Sequence, residues 1–316
     1  MKMANTVLKV TSQEINKMKE AYQAYLQPSS PPGSIFTAKP AGCTVTAYKS
    51  GKVLFQGRTA EIEAGKWGSP TPAASPKPAK AKPPHAFAPP ENVSSLSLIG
   101  SDEVGTGDYF GPITVVASYV PAAQLELLRE LGVKDSKFLN DKQIVSIAKD
   151  LLHAIPYSLL VLPNRKYNEL QAKGMSQGKM KALLHNKALL NMLEKTKDFP
   201  VDGILIDQFC EPGVYYNYLS REGNTVKDKV FFATKGESLH LSVAASSILA
   251  RYAFIKEMDK ISAKTGIEIP KGAGSKVDLK AAEMIRKYGA DYLTDIAKIH
   301  FANTKKALNL ANGKRS

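Results

Sequence analysis

The sequence predicts an α/β protein, a mixed sheet flanked by helices, preceded by a small α+β domain. Three observations carry that expectation. From about residue 94 onward, short apolar runs alternate with long amphipathic patterns, as strands and helices do when they share one sheet. Between Gly68 and Asn92 the chain is crowded with Pro, Ala and Lys and has no acidic residue before Glu91. At 316 residues it also exceeds the size at which a single core commonly splits. The expected organisation is an N-terminal domain at 1–67, a linker at 68–92 and a larger domain at 93–316.

In the N-terminal domain, TVLKV (6–10) alternates as a strand, and Ser12 is placed to cap a helix through INKMKEAYQAYL. Ile15, Met18, Tyr22 and Tyr25 of that helix fall at helical spacing. CTVTAY and KVLFQG follow as strands joined at Lys49-Ser50-Gly51, a hairpin signal. Tyr48 and Phe55 sit at core spacing, Lys17 and Lys19 on the wet helix face, and TAEIEAGKW closes the unit as a second helix. Up to Trp67 there are nine Lys or Arg against four Asp or Glu, and Lys49, Lys52 and Arg58 are the candidates for contacts to backbone phosphates. The linker is too proline-rich to pair its backbone and is expected to stay extended. Phe87 and His85 are the residues able to dock its far end.

In the larger domain, a strand from Leu96 to Gly100 leads to adjacent carboxylates, Asp102 and Glu103, followed by the turn GTGDYFGP. ITVVASYV (113–120) should return antiparallel across that turn. AQLELLREL and KQIVSIAKDLL read as amphipathic helices around KDSK, IPYSLLVL as a strand, and MSQGKMKALLHNKALLNMLEKTK as a long helix. GILI (203–206) is a short β-branched strand ending at Asp207. FFATKG is another, closed by Gly236, after which Glu237 opens the helical pattern ESLHLSVAASSILARYAFIKEM. The small residues of SVAASSILA suit close helix packing.

Three strand ends therefore present carboxylates, where desolvation is costly unless a cation sits opposite. Strand ends of a shared sheet edge converge on one place. Oxygen ligands without His or Cys suit Mg2+ or Mn2+ rather than Zn2+. Asp108 reads as a turn-stabilising residue, and His240, on an apolar helix, as a satisfied core residue in preference to a general acid; His300 is the other histidine considered. A formal charge of +14 and a pI near 9.5 point to a polyanionic partner. No run of about 18 apolar residues is present, so no membrane span is expected, and the N-terminus lacks an apolar core of signal-peptide length. Cys43 and Cys210 are too few for a disulfide framework and read as plain thiols of a cytoplasmic protein. Without a coiled-coil repeat, a monomer is expected.

The blocks GSDEVGTGDYFGP (100–112), KDSK (134–137), ILIDQF (204–209), KGESLHLSVAASSILARYAF (235–254) and HFANTKKA (300–307) resemble the type 2 ribonucleases H, ribonuclease HIII most closely. The resemblance implies a ribonuclease H-like fold with Asp102, Glu103, Asp207 and Glu237 as the catalytic, metal-binding set, Asp102 bridging two ions. It also implies an N-terminal domain similar to half of the TATA-binding protein. Gly105, Thr106 and Gly107 match a segment that touches ribose 2′-hydroxyls, the groups that distinguish RNA from DNA, and Asp135, Ser136 and Lys137 match one beside the substrate. The implied activity is endonucleolytic hydrolysis of the RNA strand of RNA/DNA hybrids, leaving 5′-phosphate and 3′-hydroxyl ends. One departure from ribonuclease HII stands out: IPKGAGSKVD carries Gly272-Ala273-Gly274 and no tyrosine, so weak action on single embedded ribonucleotides is expected. The alternatives are a hybrid-binding protein without catalysis and another metal-dependent, structure-specific nuclease.

Overall fold

A computed structural model describes residues 4–31, 33–68 and 86–313. The chain divides into two compact units, Met1–Pro84 and His85–Ser316. The central part of the expected linker, like His85, lies outside the described residues.

In the first unit, strand β1 (Ala4–Lys9) leads to helix α1 (Ser12–Ala21), then to β2 (Ser34–Ala38), β3 (Cys43–Tyr48), β4 (Lys52–Gly57) and helix α2 (Ala60–Gly65). The cap of α1 is Thr11, not Ser12. Thr11 Oγ1 accepts from Glu14 N at 3.3 Å while Glu14 Oε2 accepts from Thr11 N at 2.7 Å, a reciprocal capping box one residue upstream of the expected one. The α-period breaks after Ala21, so Tyr22 is buried but Tyr25, on a 3-10 turn, is half exposed. The sheet is antiparallel in the order β1-β4-β3-β2, with β2 a strand the sequence reading missed. Ile15, Met18, Ala60 and Ala64 pack on Leu8, Val45 and Phe55, which places both helices on one face. Cross-strand partners Lys9 and Lys52 lie on the other.

The second unit contains β5 (Leu98–Val104), β6 (Ile113–Val120), α3 (Leu125–Glu130), α4 (Asp141–Ala154), β7 (Tyr157–Leu162), α5 (Asn164–Ala172), α6 (Gln177–Lys195), β8 (Gly203–Asp207), α7 (Pro212–Tyr218), β9 (Val230–Ala233), α8 (Leu241–Thr265), α9 (Ser275–Tyr288), α10 (Leu293–Ile296) and α11 (Ala302–Ala311). Its sheet runs β7-β6-β5-β8-β9. β6 pairs antiparallel with β5 and β7, whereas β8 and β9 run parallel to β5. Both faces are covered. Met180, Leu189 and Met192 of α6 pack on Ile99, Val115 and Ile204; Ala245 and Ile248 of α8, with Ile144 and Leu151 of α4, pack on Val116.

Two local features position the site. A Cβ on Gly100 would lie 2.3 Å from the Ser242 and Val243 backbone, so only glycine lets α8 press this closely on β5. The contact is fastened by Ser246 Oγ donating to Gly100 O at 3.0 Å. The strand also differs from its expected span. It begins at Leu98 and continues through Asp102 and Glu103 to Val104, because the β6 ladder extends to Val104 opposite Thr114. Glu237 likewise lies on a 3-10 turn (Gly236–Ser238), and the long helix starts only at Leu241. Beyond the sheet, α9 to α11 form a third cluster around Tyr109 and Phe110 of the glycine turn. Phe87 packs its ring on Tyr216 and Phe232 at 5.3 and 5.9 Å, and its carbonyl accepts from Phe232 N at 2.9 Å.

Candidate active site

Consecutive strand residues point to opposite faces, and this separates the adjacent carboxylates. Asp102 faces α8, where Ser247 hydrogen-bonds it, and one of its oxygens accepts from Glu103 N at 2.7 Å. Glu103 faces α6, meeting Lys181 Nζ at 2.7 Å and His185 Nε2 at 3.0 Å. Asp207 ends β8, next to β5. Its Oδ1 accepts from Gly236 N at 2.8 Å, tying that strand end to the turn carrying Glu237. Glu237 is buried, with Oε1 on the Lys137 ammonium.

Charge is concentrated here against its own preference. Burial, then the charges of Glu103 and Asp207, push Asp102 well above the usual carboxylate range. Burial pushes Asp207 up to about 6, with Glu237 and Glu103 adding to the effect against the opposing Gly236 N–H. Burial acts the same way on Glu103, but the hydrogen bonds and charges of His185 and Lys181 outweigh it and hold that carboxyl below its ordinary value. Among the described residues, no three acidic, His or Cys side chains close into a group that would hold an ion as they stand. Glu103 is instead paired with the Lys181 ammonium and Glu237 with that of Lys137. A divalent cation nevertheless fits the donor set: all four donors are carboxylates, Asp102 and Asp207 are raised by burial with neighbouring carboxylates adding to it, and Glu237 Oε2 is buried without a hydrogen-bond partner among the described residues.

The two flanking loops come to the same edge. Asp135 Oδ1 accepts from Lys137 N at 2.9 Å, Ser136 Oγ lies 2.9 Å from Ser247 Oγ, and Lys137 reaches Glu237. Gly105 has φ +98°, and a Cβ there would meet Pro112 O at 2.2 Å, whereas one on Gly107 would meet nothing within 4 Å. The carbonyl of Thr106, between them, accepts from Gln177 Nε2 at 3.2 Å. Asp108 is a turn residue as expected, accepting from Gly272 N at 2.5 Å. The tyrosine-free Gly272-Ala273-Gly274 segment thus abuts the glycine turn, and Gly272 O accepts from Tyr109 N at 2.9 Å. Tyr109 is wholly buried.

The N-terminal candidates do not form one patch. Lys49 and Lys52 are exposed at the β3–β4 turn, while Arg58 follows the far end of β4, about 20 Å away along an extended strand.

Several side chains escaped the sequence reading. Lys181 and His185, four apart on α6, share the face that meets Glu103, and Phe209 lies beside both, with Lys181 Nζ 4.1 Å from its ring centre. Their spacing was visible, but not which face of α6 met the sheet. Arg251 donates to Ser136 O at 2.7 Å and Leu139 O at 3.0 Å, pinning the KDSK loop. Lys298, wholly buried, donates to Asp108 O at 2.8 Å and Gly111 O at 2.6 Å, pinning the glycine turn; burial pushes it down to about 7. His240 caps α8 through Ser242 N, and His300 stacks on Tyr167.

Comparison with known proteins gives the family. Residues 99–304 match the family model Ribonuclease HII, and residues 5–80 match a domain of unknown function (DUF3378). The sheet, the carboxylates at its edge and these matches define a type 2 ribonuclease H. Ribonuclease HIII of Bacillus mycoides (strain KBAB4) is 56% identical over 311 residues, covering 98% of this chain and 99% of that protein. The Bacillus subtilis (strain 168) ribonuclease HIII is 54% identical, covering 99% and 100%. A crystal structure of Bst-RNase HIII in complex with Mn2+ superposes with a TM-score of 0.70 at 44% identity, covering 98% and 100%. The chain belongs to the ribonuclease HIII family.

Proposed function

We propose that the protein is a metal-dependent endoribonuclease that hydrolyses the RNA strand of RNA/DNA hybrids, with Asp102, Glu103, Asp207 and Glu237 as its metal-binding residues. The observation that carries this is the convergence at one sheet edge of carboxylates from β5, β8 and the Gly236–Ser238 turn, Asp102 and Glu237 buried, Glu103 and Asp207 half-buried. Two bound Mg2+ or Mn2+ ions would neutralise the scissile phosphate, activate water and stabilise the leaving 3′-oxygen. Asp102, on the central strand, would be shared by both ions, and the products would carry 5′-phosphate and 3′-hydroxyl ends. With an ion bound to Glu237, the exposed Lys137 side chain would be free to offer its ammonium to the phosphate backbone. Gly105, Thr106 and Gly107 form the turn that meets ribose hydroxyls, with Gly107 as its open backbone, and Asp135 and Ser136 hold the loop that carries Lys137. Lys49, Lys52 and Arg58 contact backbone phosphates. Among the described residues no helix is long and apolar enough to cross a membrane, and we take the protein to act as a cytoplasmic monomer.

Initial rates on RNA/DNA, RNA/RNA and DNA/DNA duplexes, with and without Mg2+ or Mn2+, test the reading. Metal-dependent cleavage confined to the hybrid is expected, and binding without cleavage would instead indicate a hybrid-binding protein. Because no tyrosine stands in the 272–274 segment, a duplex with one embedded ribonucleotide should be cut far more slowly. Similar rates on it would show that the RNA-to-DNA junction is read elsewhere.

A further inference from the structure

Glu103 is held by a closed set of groups that begins and ends on its own strand. His185 is wholly out of solvent. Its Nε2 is 3.0 Å from Glu103 Oε2, and its Nδ1 is 2.5 Å from Ser101 Oγ. A carboxylate oxygen only accepts, so Nε2 carries a hydrogen; in the neutral ring Nδ1 is then the acceptor and Ser101 the donor. That tautomer follows from the hydrogen-bond network. Ser101 and Glu103 are two apart on β5 and so share a face, with the imidazole spanning them. The Phe209 ring, its centre 5.1 Å away, covers it from the side. A histidine serving only to fill space under α6 would have no need of both nitrogens, and here each is spent fixing one orientation. Each Glu103 oxygen thus has one partner, His185 on Oε2 and the Lys181 ammonium on Oε1, and each keeps a second lone pair that a cation can take.

We infer that His185, locked by Ser101, is a positioning residue that fixes the Glu103 carboxylate for a divalent cation. The inference rests on the four-carboxylate reading of the site. Loss of a hydrogen-bond partner that orients a metal ligand typically costs about 10–100-fold in metal affinity.

The test is Mn2+ binding to the full-length protein by titration calorimetry, with metal-free melting curves recorded alongside. His185→Leu keeps apolar bulk without a donor, and His185→Gln carries an N–H close to the Nε2 position. Asp207→Asn serves as the control for the site. The Leu variant should bind Mn2+ about 10–100-fold more weakly, and the Gln variant should recover most of that loss even if both melt at a lower temperature. Wild-type affinity in the Leu variant, with affinity lost in Asp207→Asn, would reduce His185 to a packing residue while leaving the site intact. Wild-type affinity in Asp207→Asn would instead overturn the carboxylate reading and this inference with it. Should the Leu variant not fold, His185→Asn, which places its N–H near Nδ1, replaces it: affinity kept by Gln and lost by Asn supports the role, and equal affinities overturn it.

Discussion

Gly105 and Gly107 occupy one turn for different reasons. Gly105 has a left-handed φ and no room for a Cβ, so Gly105→Ala strains the backbone and drives a methyl into Pro112 O and the Phe254 ring. A loss of about 2 kcal/mol or more is expected in chemical denaturation. Gly107 is open on every side, so Gly107→Ala should change stability by less than about 0.5 kcal/mol. If the turn backbone meets ribose, that same variant should raise KM for the hybrid; unchanged KM would remove Gly107 from the substrate surface. The two glycines were equally visible in the sequence, but only the fold separates backbone need from ligand access. Asp102 and Glu103 teach the same lesson: the pair was legible, yet its division between the α8 and α6 faces depends on β5 continuing past Gly100.

At the scale of elements, strands with dense β-branched runs could be read directly: the 203–207 strand falls where GILI predicts, while the strand read as FFATKG is Val230–Ala233, three residues short of Gly236. β2 was hidden because SIFTA is short and lies between prolines and a glycine on one side and Lys39-Pro40 on the other. The start of α8 was misplaced because Glu237 and the helical pattern are continuous in sequence, whereas Lys235 at φ +60° turns the chain before His240 caps the helix. That cap has a pH consequence. His240 donates from Nε2 to Leu96 O at 3.0 Å and accepts Ser242 N on Nδ1 at 3.0 Å, and burial pushes it down to about 4, with Arg129 adding to the shift. Between pH 6.5 and about 4 the unfolded chain binds a proton at this site that the folded chain does not. Stability from this group is therefore complete above 6.5 and falls as pH drops towards 4, by about 3 kcal/mol in all. His240→Asn retains a capping oxygen without titrating, so denaturation midpoints of the two proteins should converge as the pH is lowered. Parallel midpoints would contradict the assignment.

For the whole molecule, the composition break between 68 and 92 was plain, but its last residues do not behave alike. Phe87 adds a hydrogen bond to β9 and a ring to the Tyr216–Phe232 cluster. If Lys49, Lys52 and Arg58 contact backbone phosphates, a chain shortened to begin at Ala86 should keep turnover while binding hybrid more weakly, with a shallower dependence of log K on log salt. Unchanged affinity and slope would deprive the N-terminal unit of its role. Beginning at Val93 instead should cost roughly 1–3 kcal/mol in unfolding free energy through the lost ring packing.

The parallel pairing of β5 with β8 also sets the order in which the molecule can be made. β5 finds β6 across a short turn, but it finds β8 only after the chain has laid down β6, β7 and α6, and the Ser97–Asp202 bond that starts the ladder closes a separation of 105 residues. Long-range parallel pairing is slow because loop-closure entropy is lost before any contact repays it. Asp102 and Asp207 therefore meet late in folding, and Glu237 is fixed against Asp207 only once Gly236 N reaches that carboxylate. A chain still emerging from the ribosome, or one opened between β5 and β8, has the proposed metal-binding carboxylates on separate pieces, so a site built from them arrives only with completion of the sheet.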